Sequence, residues 1–182
     1  MNFELQPTLE CDLFIARPLT QEDFESLFMA ASDPLVWDQH PNKNRYQRDE
    51  FSNFFKGAIE SGGALVVIDK ASNEIIGSSR FYDLNETDHS VFIGYTFFSR
   101  KYWGKEYNRK LKSLMLRHAF KFVEKVLLHV GAENYRSQKS ITKVGAIKTS
   151  ELEVQYFGEA SRMNFEYEIA KASFLKDAAD HC

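Results

Sequence analysis

The segment Ser99–Tyr107 is short, basic and aromatic, with a single glycine, Gly104. Arg100, Lys101 and Lys105, with Arg109 and Lys110 just beyond, gather five cations against one acid, Glu106, in a chain of net charge −3. A helix pattern starts at about Asn108, and a helix start carries unpaired N–H groups and partial positive charge, so it suits an anion and above all a phosphate. The same residues also read as an ordinary strand–helix turn with solvated lysines. Farther on, Asn134 stands at the expected N-cap of another helix, with Ser137 one turn later facing the same way. Groups that could move a proton are His129 on a strand, Glu133 just after it, and Asp38 and His40 in an earlier loop. His129 alternates with Leu128 and Val130 and so faces one side of a sheet, where it reads as a base or as a structural residue; His118 falls on an apolar helix stripe and reads as structural. The five histidines are scattered, so no metal set is expected. No Gly-x-Ser-x-Gly elbow or paired Cys/His signature occurs.

The elements that must position these residues follow from periodicity. Leu13–Arg17 reads as a strand, and Thr20 as the cap of a helix buried through Phe24, Leu27, Phe28 and Ala31. Residues 34–47 form a polar and aromatic loop holding Trp37. Arg48–Ser61 is a helix with Phe51, Phe54, Phe55, Ala58 and Ile59 on one face, ended by Gly62-Gly63. Ala64–Asp69 and Ile75–Tyr82 are strands around a Lys70–Glu74 turn, and Val91–Phe98 is a buried strand. From Asn108, the residues Leu111, Leu114, Met115, His118, Ala119 and Phe122 recur at helical spacing. Val126–Val130 is a second buried strand. A helix from Asn134 ends at Gly145, and two strands, Ala146–Gln155 and Met163–Ala170, precede a short helix or frayed end from Lys171. Strand, basic loop, helix and strand make a parallel crossover unit.

The ordered pieces Ile93-Gly94-Tyr95, Tyr102-Trp103-Gly104, Asn134-x-x-Ser137 and Lys143-x-Gly145 resemble the GCN5-related N-acetyltransferase (GNAT) family. The likeness is to the branch of ribosomal-protein N-terminal acetyltransferases (RimJ/RimL-like), over about residues 10 to 170. It implies acetyl-CoA as cosubstrate, with its pyrophosphate at Trp103, Gly104, Lys105, Tyr107 and Asn108. The family loop, Gln/Arg-x-x-Gly-x-Gly/Ala, is altered here: Trp103 replaces the Gln/Arg, Glu106 the first motif glycine and Asn108 the second. The resemblance also implies a splay between Val91–Phe98 and Val126–Val130, where the backbone N–H near Phe97 or Phe98 would meet the thioester carbonyl. Asn134 would bond the pantetheine arm. Ser137 would protonate the leaving thiolate, or water would, because the family's usual tyrosine position is Ile141. His129 is the candidate base named with Ser137 as catalytic, and Trp37, Asp38 and His40 lie where the family places its acceptor. Dimerisation is a further expectation of the likeness.

Length and composition agree with one α/β domain over residues 1–182, of about seven strands in a mixed sheet with helices on both faces. Hydrophobic residues make up 43%, and the pI near 6.0 argues against a nucleic-acid surface. No signal peptide or transmembrane run is expected. Cys11 and Cys182, far apart, predict reduced thiols in a cytoplasmic protein rather than a disulfide framework. The expected activity is direct acetyl transfer from acetyl-CoA to a small-molecule or peptide amine, without a metal. The rivals are a non-catalytic acyl-CoA-binding sensor or partner module, and a domain for an unrelated phosphate ligand.

Overall fold

β-Branched and aromatic runs form the strands of one mixed sheet: β1 (Leu9–Glu10), β2 (Phe14–Pro18), β3 (Ala64–Asp69), β4 (Ile75–Asn85), β5 (Ser90–Phe98), β6 (Lys125–Gly131), β7 (Ile147–Val154) and β8 (Arg162–Ala170). The computed structural model describes residues 3–179, so Cys182 lies outside the described residues. The strand order is β1-β2-β3-β4-β5-β6-β8-β7. The two-residue β1 is the strand beyond the expected seven; it is too short to leave a periodic signal. The helices are α1 (Phe24–Ala31), α2 (Arg48–Glu60), α3 (Tyr107–Ala119), α4 (Tyr135–Thr142) and α5 (Lys171–Ala179). Thr20 caps a single 3-10 turn, with its N–H bonded to Asp23 at 2.9 Å, before α1 begins. Among the described residues no helix is long and apolar enough to cross a membrane.

Strand alternation divides the core between the two faces of the sheet. Leu65 and Val67 of β3 join Leu111, Met115 and Leu116 of α3 and Ile141 of α4. Ala64 and Val66 join Leu27 of α1 and Phe51, Phe54 and Phe55 of α2. Phe97 and Phe98 divide in the same way, the first toward α2 and the second toward α3.

The feature that matters for the site is how briefly β5 and β6 pair. They run parallel through Ser90–Lys125, Val91–Val126 and Phe92–Leu127 only. Beyond that, β5 stays with β4 and β6 with β8, so a gap opens between them. A bulge bends β5 just there: Arg80 pairs with Gly94 and Ser78 with Phe97, leaving Ser79 opposite both Tyr95 and Thr96. Tyr95 takes φ 53°, an uncommon conformation for a bulky side chain. Its ring is fixed on several sides, with the Arg80 guanidinium 3.9 Å from the centroid and Tyr82 and Tyr156 edge-on at 5.2 and 5.4 Å.

Candidate active site

β5 ends at Phe98 and the chain turns toward α3. The Ser99 N–H bonds the Ile76 carbonyl at 2.8 Å, which keeps the β4 ladder going and sets Phe98 to face the other edge. The Phe98 carbonyl indeed accepts from Trp103 Nε1 at 2.9 Å, and its N–H shares that parted edge. Phe97 is back in register with β4, and its ring packs on Trp37 at 5.0 Å. Trp103 is therefore a half-buried packing residue as well as a loop residue.

Two left-handed residues shape the loop, Gly104 at φ 73° and Glu106 at φ 62°. A Cβ on Gly104 would meet nothing within 4 Å, so glycine there serves the backbone and not the space. Glu106 accepts the left-handed strain, and its exposed carboxylate is held by Arg109. The Tyr107 N–H turns back to the Lys105 carbonyl at 2.6 Å, and its hydroxyl donates to Asp69 at 2.6 Å. That bond to a carboxylate pushes the phenol up to about 12. The N–H groups of Lys105, Glu106, Asn108 and Arg109 have no partner among the described residues, which is the arrangement that receives an anion. The basic concentration expected around them is largely neutralised. Arg100 pairs with Asp33 at 2.7 Å, Lys101 with Glu74 at 3.3 Å, Lys110 with Asp12 at 2.6 Å and Arg109 with Glu106. Lys105 alone of the five has no carboxylate partner among the described residues.

The gap between β5 and β6 holds a cavity of about 80 Å³. His129, Asn134 and Ser137 line it together with Asn108, Lys112 and Ile141. Asn134 caps α4 by accepting from the Ser137 N–H at 3.1 Å, and the Ser137 hydroxyl has no partner among the described residues. Asn108 ties α3 to α4 through its Nδ2 and Ser140 Oγ at 2.9 Å, while its Oδ1 is buried without a partner. An orphaned acceptor beside free backbone N–H groups fits a ligand that carries amides and phosphates, as acetyl-CoA does. The Nε2 of His129 lies 3.2 Å from Glu166, so if that nitrogen carries the proton, Nδ1 is left as the basic atom.

Two other base candidates are occupied elsewhere. Asp38 is bound to Arg136 at 3.0 Å. His40 accepts at Nε2 from Arg45 (3.2 Å), and its Nδ1 is engaged with Asn42. Burial, followed by the Arg45 charge, holds this imidazole well below its ordinary pKa. Trp37 is buried and donates to the Ala31 carbonyl at 2.8 Å. Glu133 lines a separate, open cavity of about 770 Å³ with Glu50, Glu159, Lys43 and Arg162, which adjoins the gap at His40.

Three further residues line or bridge these cavities and are not among the sequence candidates. Arg45 is fully buried, bonded to Glu159 at 2.7 and 2.9 Å, and it ties the loop before α2 to the β7–β8 connection. Arg136 lies 4.1 Å over the Trp103 ring and bonds both Asp38 and the Val36 carbonyl. Lys112 is a buried lysine inside the gap. The signal for Lys112 was its i, i+4 alignment with Asn108 and Leu116.

Comparison with known proteins gives the same frame. The family description "Acetyltransferase (GNAT) domain" matches residues 14–147. No curated protein matches the sequence significantly. A GCN5-related N-acetyltransferase from Brucella melitensis superposes with a TM-score of 0.80 at 16% identity, covering 93% of this chain and 81% of that one. The spermidine N-acetyltransferase of Vibrio cholerae, solved with CoA and spermine, gives 0.67 at 17% identity over 89% and 98%. The ribosomal-protein-S5-alanine acetyltransferase of Vibrio fischeri gives 0.68 at 17% over 92% and 98%. These likenesses are of fold, and the family match spans most of the chain. With its parted parallel strands and its anion-ready turn, the chain belongs to the GNAT family of acetyl-CoA-dependent N-acetyltransferases.

Proposed function

We propose that this enzyme moves the acetyl group of acetyl-CoA directly to a primary amine within a ternary complex, without a covalent enzyme intermediate. The observation that carries the reading is the parting of β5 and β6 after three paired residues, with His129, Asn134 and Ser137 brought to one cavity at that point. The pyrophosphate of the cosubstrate sits against the free N–H groups of Lys105, Glu106, Asn108 and Arg109, in the Trp103–Asn108 turn and the first turn of α3. Asn134 and Asn108 meet the amides of the pantetheine arm. The Phe98 N–H polarises the thioester carbonyl. His129, oriented by Glu166, takes the proton of the attacking ammonium, and the Ser137 hydroxyl donates a hydrogen bond to the sulfur without giving up its proton. The acceptor enters from the open cavity at Glu133, which also holds Glu50. The acceptor is an ammonium in solution, whether a protein N-terminus, as the ribosomal-protein branch would have it, or a small-molecule amine, and Glu133 and Glu50 are the carboxylates that could receive it.

The test is calorimetry with acetyl-CoA followed by turnover with an amine panel. Micromolar binding and turnover support the reading, with His129→Gln lowering kcat about a hundredfold. Binding without turnover of any amine would instead favour an acyl-CoA-binding module. No binding at millimolar acetyl-CoA would sink both.

A further inference from the structure

Lys112 projects from the first half of α3 into the gap between β5 and β6, and its side chain is buried. Its Nζ donates to Thr96 Oγ1 at 2.7 Å, and Thr96 in turn shares a 2.8 Å bond with Ser79. An ammonium has three donors, and Thr96 takes one. The titratable or charged groups that face the same cavity are His40, Arg45, Tyr82, Tyr95, His129 and Tyr156. None is an anion at neutral pH. A buried ammonium without a counter-ion is costly, and an apolar side chain would fill this helix position with less penalty. Packing alone therefore does not account for a lysine here.

The chemistry of the cavity supplies a use. A departing thiolate needs a proton. Ile141, where the family resemblance would place a tyrosine donor, lines this same cavity and has none to give. The alcohols of Ser137 and Thr96 are far weaker acids than a thiol. Burial raises the phenols of Tyr82, Tyr95 and Tyr156. Arg45 does not release a proton, and both nitrogens of His40 are engaged. His129 is assigned to the acceptor amine.

We propose that Lys112 is the general acid of the reaction, passing a proton from its ammonium to the CoA sulfur as the thioester bond breaks. The assignment rests on reading this cavity as the acetyl-transfer site. The acceptor ammonium first loses a proton to His129, and its nitrogen then bonds the acetyl carbon. The C–S electron pair leaves on sulfur, which takes the proton of Lys112. The amide nitrogen sheds its extra proton, which restores the lysine. The sum is an ammonium and acetyl-CoA converted to an amide, CoA thiol and one proton released to water. Desolvation brings Lys112 down to about 7, below an ordinary thiol at about 8.5, so the transfer runs downhill.

The experiment compares wild type with Lys112→Met and Lys112→Arg, using an amine that the wild type acetylates. Both variants are expected to lose about a hundredfold in kcat, with acetyl-CoA affinity changed less than about threefold. The wild-type kcat should fall on the alkaline side as Lys112 loses its proton, and both variants should lack that limb. A variant within threefold of wild type, or one that keeps the limb, overturns the assignment and leaves the acetyltransferase reading intact. Absence of wild-type turnover overturns both. Carbon-13 NMR titration of the lysine Cε signals in wild type needs no variant to fold. One signal titrating near 7 and shifted by CoA is expected, and none titrating below 9 overturns the proposal.

Discussion

Arg45 and Lys112 are both buried cations that face one cavity, yet their surroundings are opposite. Arg45 has a carboxylate, Glu159, on two of its nitrogens. Its guanidinium also lies within 4.8–6.0 Å of the ring centroids of Phe54, Trp37, Tyr156 and Tyr95. Lys112 has one hydroxyl and no counter-ion. The first arrangement ties two distant loops together. The second leaves the charge free to depart. The carboxylate and rings around Arg45 make it a clamp, whereas Lys112, a lysine buried without a counter-ion, is the one of the two whose charge burial can remove.

The largest expected effect is on the clamp. Arg45→Met leaves Glu159 nearly buried and unpaired, and should lower the free energy of unfolding by about 3–5 kcal/mol, read by urea denaturation. If that variant is as stable as wild type, the contrast between the two cations fails at its stronger end.

Next comes the pH dependence of stability, where Lys112 should behave oppositely to a paired residue. Its folded pKa, about 7, lies below the unfolded value of about 10.4. Between these values the unfolded chain binds a proton that the folded chain does not, so stability rises with pH across that window. The slope from this residue is at most about 1.4 kcal/mol per pH unit, and it vanishes below 7, where both states are protonated. Denaturation series at pH 7 to 10 on wild type and Lys112→Met should differ by that slope. Parallel curves would show that Lys112 keeps an ordinary pKa. The smallest effect is at the remaining partner. Thr96→Val removes the bond to Nζ, should change stability at pH 8 by about 1 kcal/mol or less, and should move the alkaline limb of kcat to lower pH. A limb unmoved or moved upward would mean that Thr96 does not hold the ammonium form.

The sequence made the scaffold easier to read than the site. Ala64–Asp69 has the same bounds in sequence and structure, because a glycine pair precedes it and a polar turn follows. The α3 stripe was read through Leu111, Met115 and Ala119, yet Lys112 and Leu116 are buried as well, because α3 is covered on more than one side. A lysine flanked by Ser113 and near Lys110 looks solvated until the gap in the sheet is known. The basic loop misled in another way. Its cations were counted against the one nearby acid, whereas Asp12, Asp33 and Glu74 reach it from far along the chain. The β5 bulge left no trace either, since it depends on Tyr95 adopting a positive φ within a cluster of aromatic and arginine side chains assembled by several strands.

Under the proposed binding mode, Arg136 would give the two substrates a common thermodynamic link. Its guanidinium rests on Trp103, in the turn proposed to hold the donor, while bonding the Val36 carbonyl and Asp38 in the loop before α2. A displacement of that group on donor binding would then change acceptor affinity, and reciprocity would require the acceptor to alter donor affinity by the same factor. Cooperativity between two chemically unrelated ligands would then be set in part by a single side chain.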